Sequence, residues 1–246
     1  MATPLSSYRS HLDFTREKYD LLFVDNIFPC FAQDLFTQAK AVPPSFVDKS
    51  MELSELWQET LRSAGQQIQI PREIYCQAMR GYGAMTKAIS HQKGRLSSEL
   101  EQSLKHYQQG SYHLLQELQQ HVFAYSALES QTINAYVTIM KELDQQYHLK
   151  KIGHKDDGHA DEILVACAIY TSEQKGKYAV IISHDSDIDR LAAQYHICKR
   201  QGNLPKGNID IPNAAAKVEV YHLPQMNCPA KYTEIQKSST SLPTAA

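Results

Sequence analysis

Four short acidic motifs stand where a chain of alternating strands and helices would gather them. Asp25 follows the run LLFV, Glu73 follows IQIP, Asp161 and Glu162 open the run ILVACAIY, and Asp185 and Asp187 follow YAVIIS. Carboxylates that converge repel one another, which raises their pKa values unless a positive charge sits among them. Mg2+ or Mn2+ supplies such a charge, because both favour oxygen ligands and keep waters that phosphate oxygens can replace. The chemistry suggested is metal-dependent hydrolysis of a phosphodiester, in which the metal activates water and stabilises the departing oxygen.

The elements that must position these acids follow from apolar patterning. Leu21 to Val24 is a short apolar run ended by Asp-Asn, which predicts a buried parallel strand. Phe28, Phe31, Ala32, Leu35 and Phe36 recur at helical spacing, as do Leu53, Leu56, Trp57 and Leu61, the latter stopping at Ala64-Gly65. Ile68 to Ile70 predicts a brief strand, and Pro71 suits the first position of a helix carrying Ile74, Tyr75, Ala78 and Met79. From about 95 to 148 the chain turns rich in Gln, Glu, Ser and His, with apolar residues spaced for two or three amphipathic helices broken at Gln109-Gly110-Ser111. This helical insertion is a scaffold, or else a layer that grips substrate or partner. Ile163 to Tyr170 is apolar on every side, and its small residues Ala166 and Ala168 favour a buried helix over a strand. Tyr178 to Ser183 predicts a central strand, Asp187 to Tyr195 a helix, and Lys217 to Leu223 a last strand after a long loop.

In a doubly wound parallel sheet the strand ends and the helix starts share one edge, which is where such sheets bind ligands. Asp25, Glu73, Asp161 and Asp185 all fall on that edge. Each also has a plainer role. Asp25 can begin a turn with Asn26, Asp161 can complement a helix dipole, and Asp185 or Ser186 can cap a helix.

Composition sets bounds on partners and setting. With 25 basic and 27 acidic side chains the net charge is near zero, so the chain does not coat nucleic acid by bulk charge. Local cations remain available at Lys150, Lys151, Lys155, Lys199 and Arg200. The five cysteines are scattered without a CxxC pair, and no apolar run approaches the roughly 20 residues that cross a bilayer. A cytoplasmic protein with reduced thiols is expected, with a disordered tail over 225–246.

The pieces LFVDNIF, ADEILVACAIY and IISHDSDI, in this order, resemble the PIN domain family of metal-dependent ribonucleases. The resemblance implies one α/β domain over 1–224: a PIN-like three-layer fold with a central parallel sheet, helices on both faces and the helical insertion. It further implies an endoribonuclease that hydrolyses single-stranded RNA. Asp25, Asp161, Asp185 and Asp187 would be catalytic and would hold Mg2+ or Mn2+, with Glu73 joining them. The family's second acid lies further along the helix after the proline, and that place here is Gln77, while Glu73 is one turn earlier on the same face. The helical insertion is longer than in small toxin-type members, which speaks against a toxin role.

Other readings stay open beside this one. The Gln77 departure motivates a catalytically weak PIN-like module that binds RNA or a regulatory protein partner. A phosphatase of another α/β fold is disfavoured, because Asp25 is followed by Asn26 and Ile27 and no Asp-x-Asp follows the first strand. His154, Asp157 and His159 imitate a zinc site but supply too few close nitrogen or sulfur ligands. His184 is expected to point away from the acids. No membrane partner is expected, and a homodimer is compatible with the sequence.

Overall fold

The computed structural model describes residues 5–25, 42, 44–150, 159–183, 185–205, 211–212 and 216–222. Among these, seven α-helices surround a four-stranded, all-parallel sheet. The chain runs α1 (Leu5–Lys18), β1 (Leu21–Val24), α2 (Pro44–Ala64), β2 (Ile68–Gln69), α3 (Arg72–Gln92), α4 (Ser98–Gln120), α5 (Ala127–Tyr147), α6 (Ala160–Lys175), β3 (Ala179–Ser183), α7 (Ser186–Gln201) and β4 (Val218–His222). The strand order is β2-β1-β3-β4, with Val24 beside Ile182 and Ser183 beside His222.

Why the sheet is covered on both faces can be read from burial along its central strands. Consecutive strand residues point to opposite faces, yet Leu22, Phe23 and Val24 are all buried, as are all five residues of β3. Helices must therefore pack on both sides, which makes this a three-layer α/β fold. The run Ile163 to Tyr170 forms the middle of α6 and packs against β3. Leu164, Val165 and Ile169 are fully buried there, each contributing about 1.5–3 kcal/mol by leaving water.

Several boundaries differ from the sequence expectation. Helix α1 was not legible from the polar N-terminal residues. It forms because Tyr8, Leu12 and Thr15 share a buried face, with Tyr8 edge-on to Trp57 and Arg9 paired to Glu59. The break expected at Gln109-Gly110-Ser111 is absent, and α4 runs through it. Tertiary packing overrides the glycine there: Gly110 lies against Met51 of α2 and its carbonyl accepts a 3.2 Å hydrogen bond from Gln58 Nε2. Pro71 caps α3 instead of opening it. After α4 the chain touches the sheet again, where Val122 bridges Ile70 in parallel beyond β2. The helix expected over Phe28 to Phe36 and the tail over 225–246 lie outside the described residues, as do Asp157, His154 and His184.

The helices of the insertion divide their contacts. Helix α4 packs on α2 and α3, while α5 packs on α6 and α7. A second apolar core joins Val42, Phe46 and Val47 to Met85 and Ala88 of α3 and to Leu100, Leu104 and Tyr107 of α4. Helix α2 has 21 residues, about 31 Å, whereas the strand segment Ile68 to Ile70 spans only about 10 Å. Since α2 ends where β2 begins, its first half must reach past the strand-end edge. Helix α3 starts at that edge and its late residues enter the second core, so it rises away from the sheet. The three helices thus form a projection beside the edge where the acids lie. No helix among the described residues is long and apolar enough to cross a membrane.

Candidate metal and phosphate site

Strands β1 and β3 are adjacent and in register, so Asp25, one residue past Val24, falls beside Ser183. Ser183 Oγ donates to Asp25 Oδ2 over 2.8 Å and accepts from the backbone N–H of Asp185 over 2.9 Å. One buried hydroxyl thereby joins the first acidic motif to the last. Asp185 caps α7, its Oδ1 taking the Asp187 N–H over 2.8 Å. Asp187, 1% exposed, is paired with Arg190 one turn further on. From β4, His222 Nδ1 donates to the Ser183 carbonyl over 3.1 Å and its ring approaches Asp189.

Asp161 is held in a different set of contacts. It lies in the first turn of α6, and its Oδ2 is 3.3 Å from Lys150 Nζ. The same ammonium lies 2.8 Å from Glu162 Oε2, whose side chain is 3% exposed and is also approached by His159. Burial works against the Lys150 ammonium. The hydrogen bond to Glu162 and the charges of Asp161 and Glu162 outweigh it, so the lysine pKa lies above its ordinary value.

Glu73 is exposed in the first turn of α3. Its charge is felt at the Cys167 thiol inside α6, which burial pushes up to about 12. Gln77, the place of the family's second acid, is partly buried one turn further along the same helix.

Asp25, Asp185 and Asp187 are therefore linked at the ends of β1 and β3, while Asp161 is tied to Lys150 and Glu73 stands on α3. Among the described residues no three His, Cys, Asp or Glu side chains converge as a ready cage for a metal ion. The donor set is nonetheless all oxygen, and a carboxylate joined through a hydroxyl to the backbone of a second acid suits Mg2+, which binds through one or two carboxylates and keeps its remaining waters. Asp25 and Asp185 fit that role. Asp161 and Asp187 are paired with Lys150 and Arg190 instead.

Sequence reasoning included Ser183 in the IISHDSDI piece but not as the bridge to Asp25, and it missed His222 as part of this edge. Their signal was available: each ends a parallel strand, and parallel strand ends meet on one side. Arg190 and Glu162 were also missed in their pairing roles, because the Arg190 partner one turn away looks like any solvated charge and the Glu162 partner Lys150 lies in a preceding polar segment. No protein-family model matches the chain, and no curated protein or solved structure matches it significantly.

Proposed function

We propose that the chain is a PIN-like endoribonuclease that hydrolyses phosphodiester bonds of single-stranded RNA with Mg2+ or Mn2+, in a cytoplasmic setting. The observation that carries this reading is the Ser183 hydroxyl bridging Asp25 to the Asp185 backbone at the strand-end edge of a parallel sheet. The chemistry supplied by a bound metal would be activation of water and neutralisation of phosphate charge. Ser183 fixes the rotamer of Asp25, and the cap on Asp187 N–H fixes that of Asp185, so both carboxylates are oriented in advance. Hydrolysis forms a bond from water oxygen to phosphorus and breaks the bond from phosphorus to the departing ribose oxygen. Lys150 and Arg190 are cations beside the acids that a phosphate would also meet.

The test is cleavage of labelled single-stranded RNA by the purified chain with Mg2+ or Mn2+, compared with EDTA, and by Asp161→Asn. Cleavage should require metal and should vanish in the variant without loss of fold. Activity that survives both EDTA and Asp161→Asn would sink the proposal.

A second reading has its own support. Asp161 and Asp187 are already matched by Lys150 and Arg190, so part of the acid edge is charge-compensated by the chain itself. A catalytically weak module that binds RNA or a protein partner would look like this. Calorimetric titration with Mn2+ separates the two, since the module would bind no metal at millimolar concentration while still binding RNA.

A further inference from the structure

Helix α3 carries Tyr75, Met79 and Tyr82 four and then three residues apart, which lines them along one side of the helix. In most helices such a stripe is the core face. Here the fully buried face is an adjacent one, formed by Ile74, Ala78, Met85 and Ala88; Tyr75 and Tyr82 lean partly buried against the core at its border, and Met79 is 50% exposed. Tyr112 of α4, 49% exposed, continues the line, with its ring centroid 6.3 Å from that of Tyr82 at 43°.

The line has a beginning at the acid edge. Tyr75 and Asp25 line the same small cavity, so the first aromatic residue of the line lies close to the first acid. Because α3 rises away from the sheet, the seven helical steps from Tyr75 to Tyr82 lead about 10 Å outward along the projection. The same helix presents Arg72, Arg80 and Lys87 to solvent against a single acid, Glu73. Rings in series with cations beside them match a polymer that alternates flat bases with phosphates.

We propose that Tyr75, Met79, Tyr82 and Tyr112 form a stacking track that delivers single-stranded RNA to the acid edge. The inference rests on reading that edge as a phosphodiester site. A duplex is a poor occupant, because its bases are already stacked on one another and their faces are closed to the tyrosines.

The test is fluorescence anisotropy with a labelled single-stranded RNA oligomer in EDTA, where binding is read without cleavage, beside a duplex of the same sequence. Tyr112→Ala and Tyr82→Ala should each weaken binding of the single strand roughly five- to hundredfold while leaving its salt dependence unchanged. Tyr112→Phe and Tyr82→Phe should bind as the parent does, since the ring and not the hydroxyl is used. Met79→Glu, at an exposed position that folding tolerates, should weaken binding by placing a charge in the path of the phosphates. Mn2+ affinity should be the same in all variants. Alanine variants that bind as the parent, phenylalanine variants that lose as much as alanine, or a duplex bound as tightly as the single strand would each overturn the track. So would a parent chain that binds no single-stranded RNA. Failure of the nuclease reading looks different: RNA binds through the tyrosines, but neither Mn2+ binding nor cleavage occurs.

Discussion

Ser183 Oγ sits 2.8 Å from Asp25 Oδ2, so the ends of β1 and β3 are joined by a side chain as well as by the sheet. The same hydroxyl accepts the Asp185 N–H, which means that one atom sets the orientation of two acidic motifs.

Ser183→Ala removes that atom. Loss of a group that orients ligands in this way typically costs about 10- to 100-fold in metal affinity or activity. The expected outcome is a drop of that size in Mn2+ affinity by calorimetry, and in RNA cleavage, with the far-UV circular dichroism unchanged. Thr at this position should restore most of the loss.

Lys150 shares one ammonium between Asp161 and the buried Glu162. Lys150→Met takes away a cation that competes for Asp161, so Mn2+ should bind more tightly, by about fivefold. It also leaves Glu162 without its main partner, and stability should fall by about 1–3 kcal/mol in urea denaturation. Adding Glu162→Gln should recover the stability but not reverse the gain in metal affinity.

Glu173 ties three helices together inside the protein. Its fully buried carboxylate accepts from Tyr136 OH over 2.6 Å, Tyr195 OH over 3.0 Å and Lys199 Nζ over 2.6 Å. Burial pushes both phenols well above their ordinary pKa, so they remain donors at all ordinary pH. Glu173→Gln keeps the shape but strands the Lys199 charge, and should cost about 2–4 kcal/mol of unfolding free energy. RNA binding in EDTA should be unaffected, since none of these groups lies at the acid edge.

Glu219 on β4 offers a check of pH dependence. Hydrogen bonds from Lys18, Tyr178 and Tyr19, with the lysine strongest, hold its carboxyl down at about 2. A folded-state pKa below the unfolded value near 4.5 means stability that is present above that value and is lost as pH falls through about 2. The Glu219 side chain is 46% exposed, so screening limits the contribution to less than about 1 kcal/mol. Thermal melts of Glu219→Gln should run slightly below the parent at pH 7, and the two should converge near pH 2.

The periodicity of the chain by itself determined most of the sheet. A four-residue apolar run ended by Asp pointed to a short buried strand, and the small residues in the all-apolar stretch up to Tyr170 favoured a covered helix over a strand. Because parallel connection forces strand ends and helix starts to one edge, the placement of Asp25, Asp161 and Asp185 on that edge was also legible. Tertiary structure decided what periodicity cannot express. Helix α1 exists because Trp57 and Glu59, far along the chain, receive its buried face, and α4 stays unbroken at Gly110 because Met51 packs there. Which carboxylates share a partner was decided in the same way. Strand register put Ser183 beside Asp25, whereas Lys150 claimed Asp161 from a segment that the sequence left as a polar loop. Local pattern fixes which face a residue takes; only the packed chain fixes which distant charge or hydroxyl meets it there.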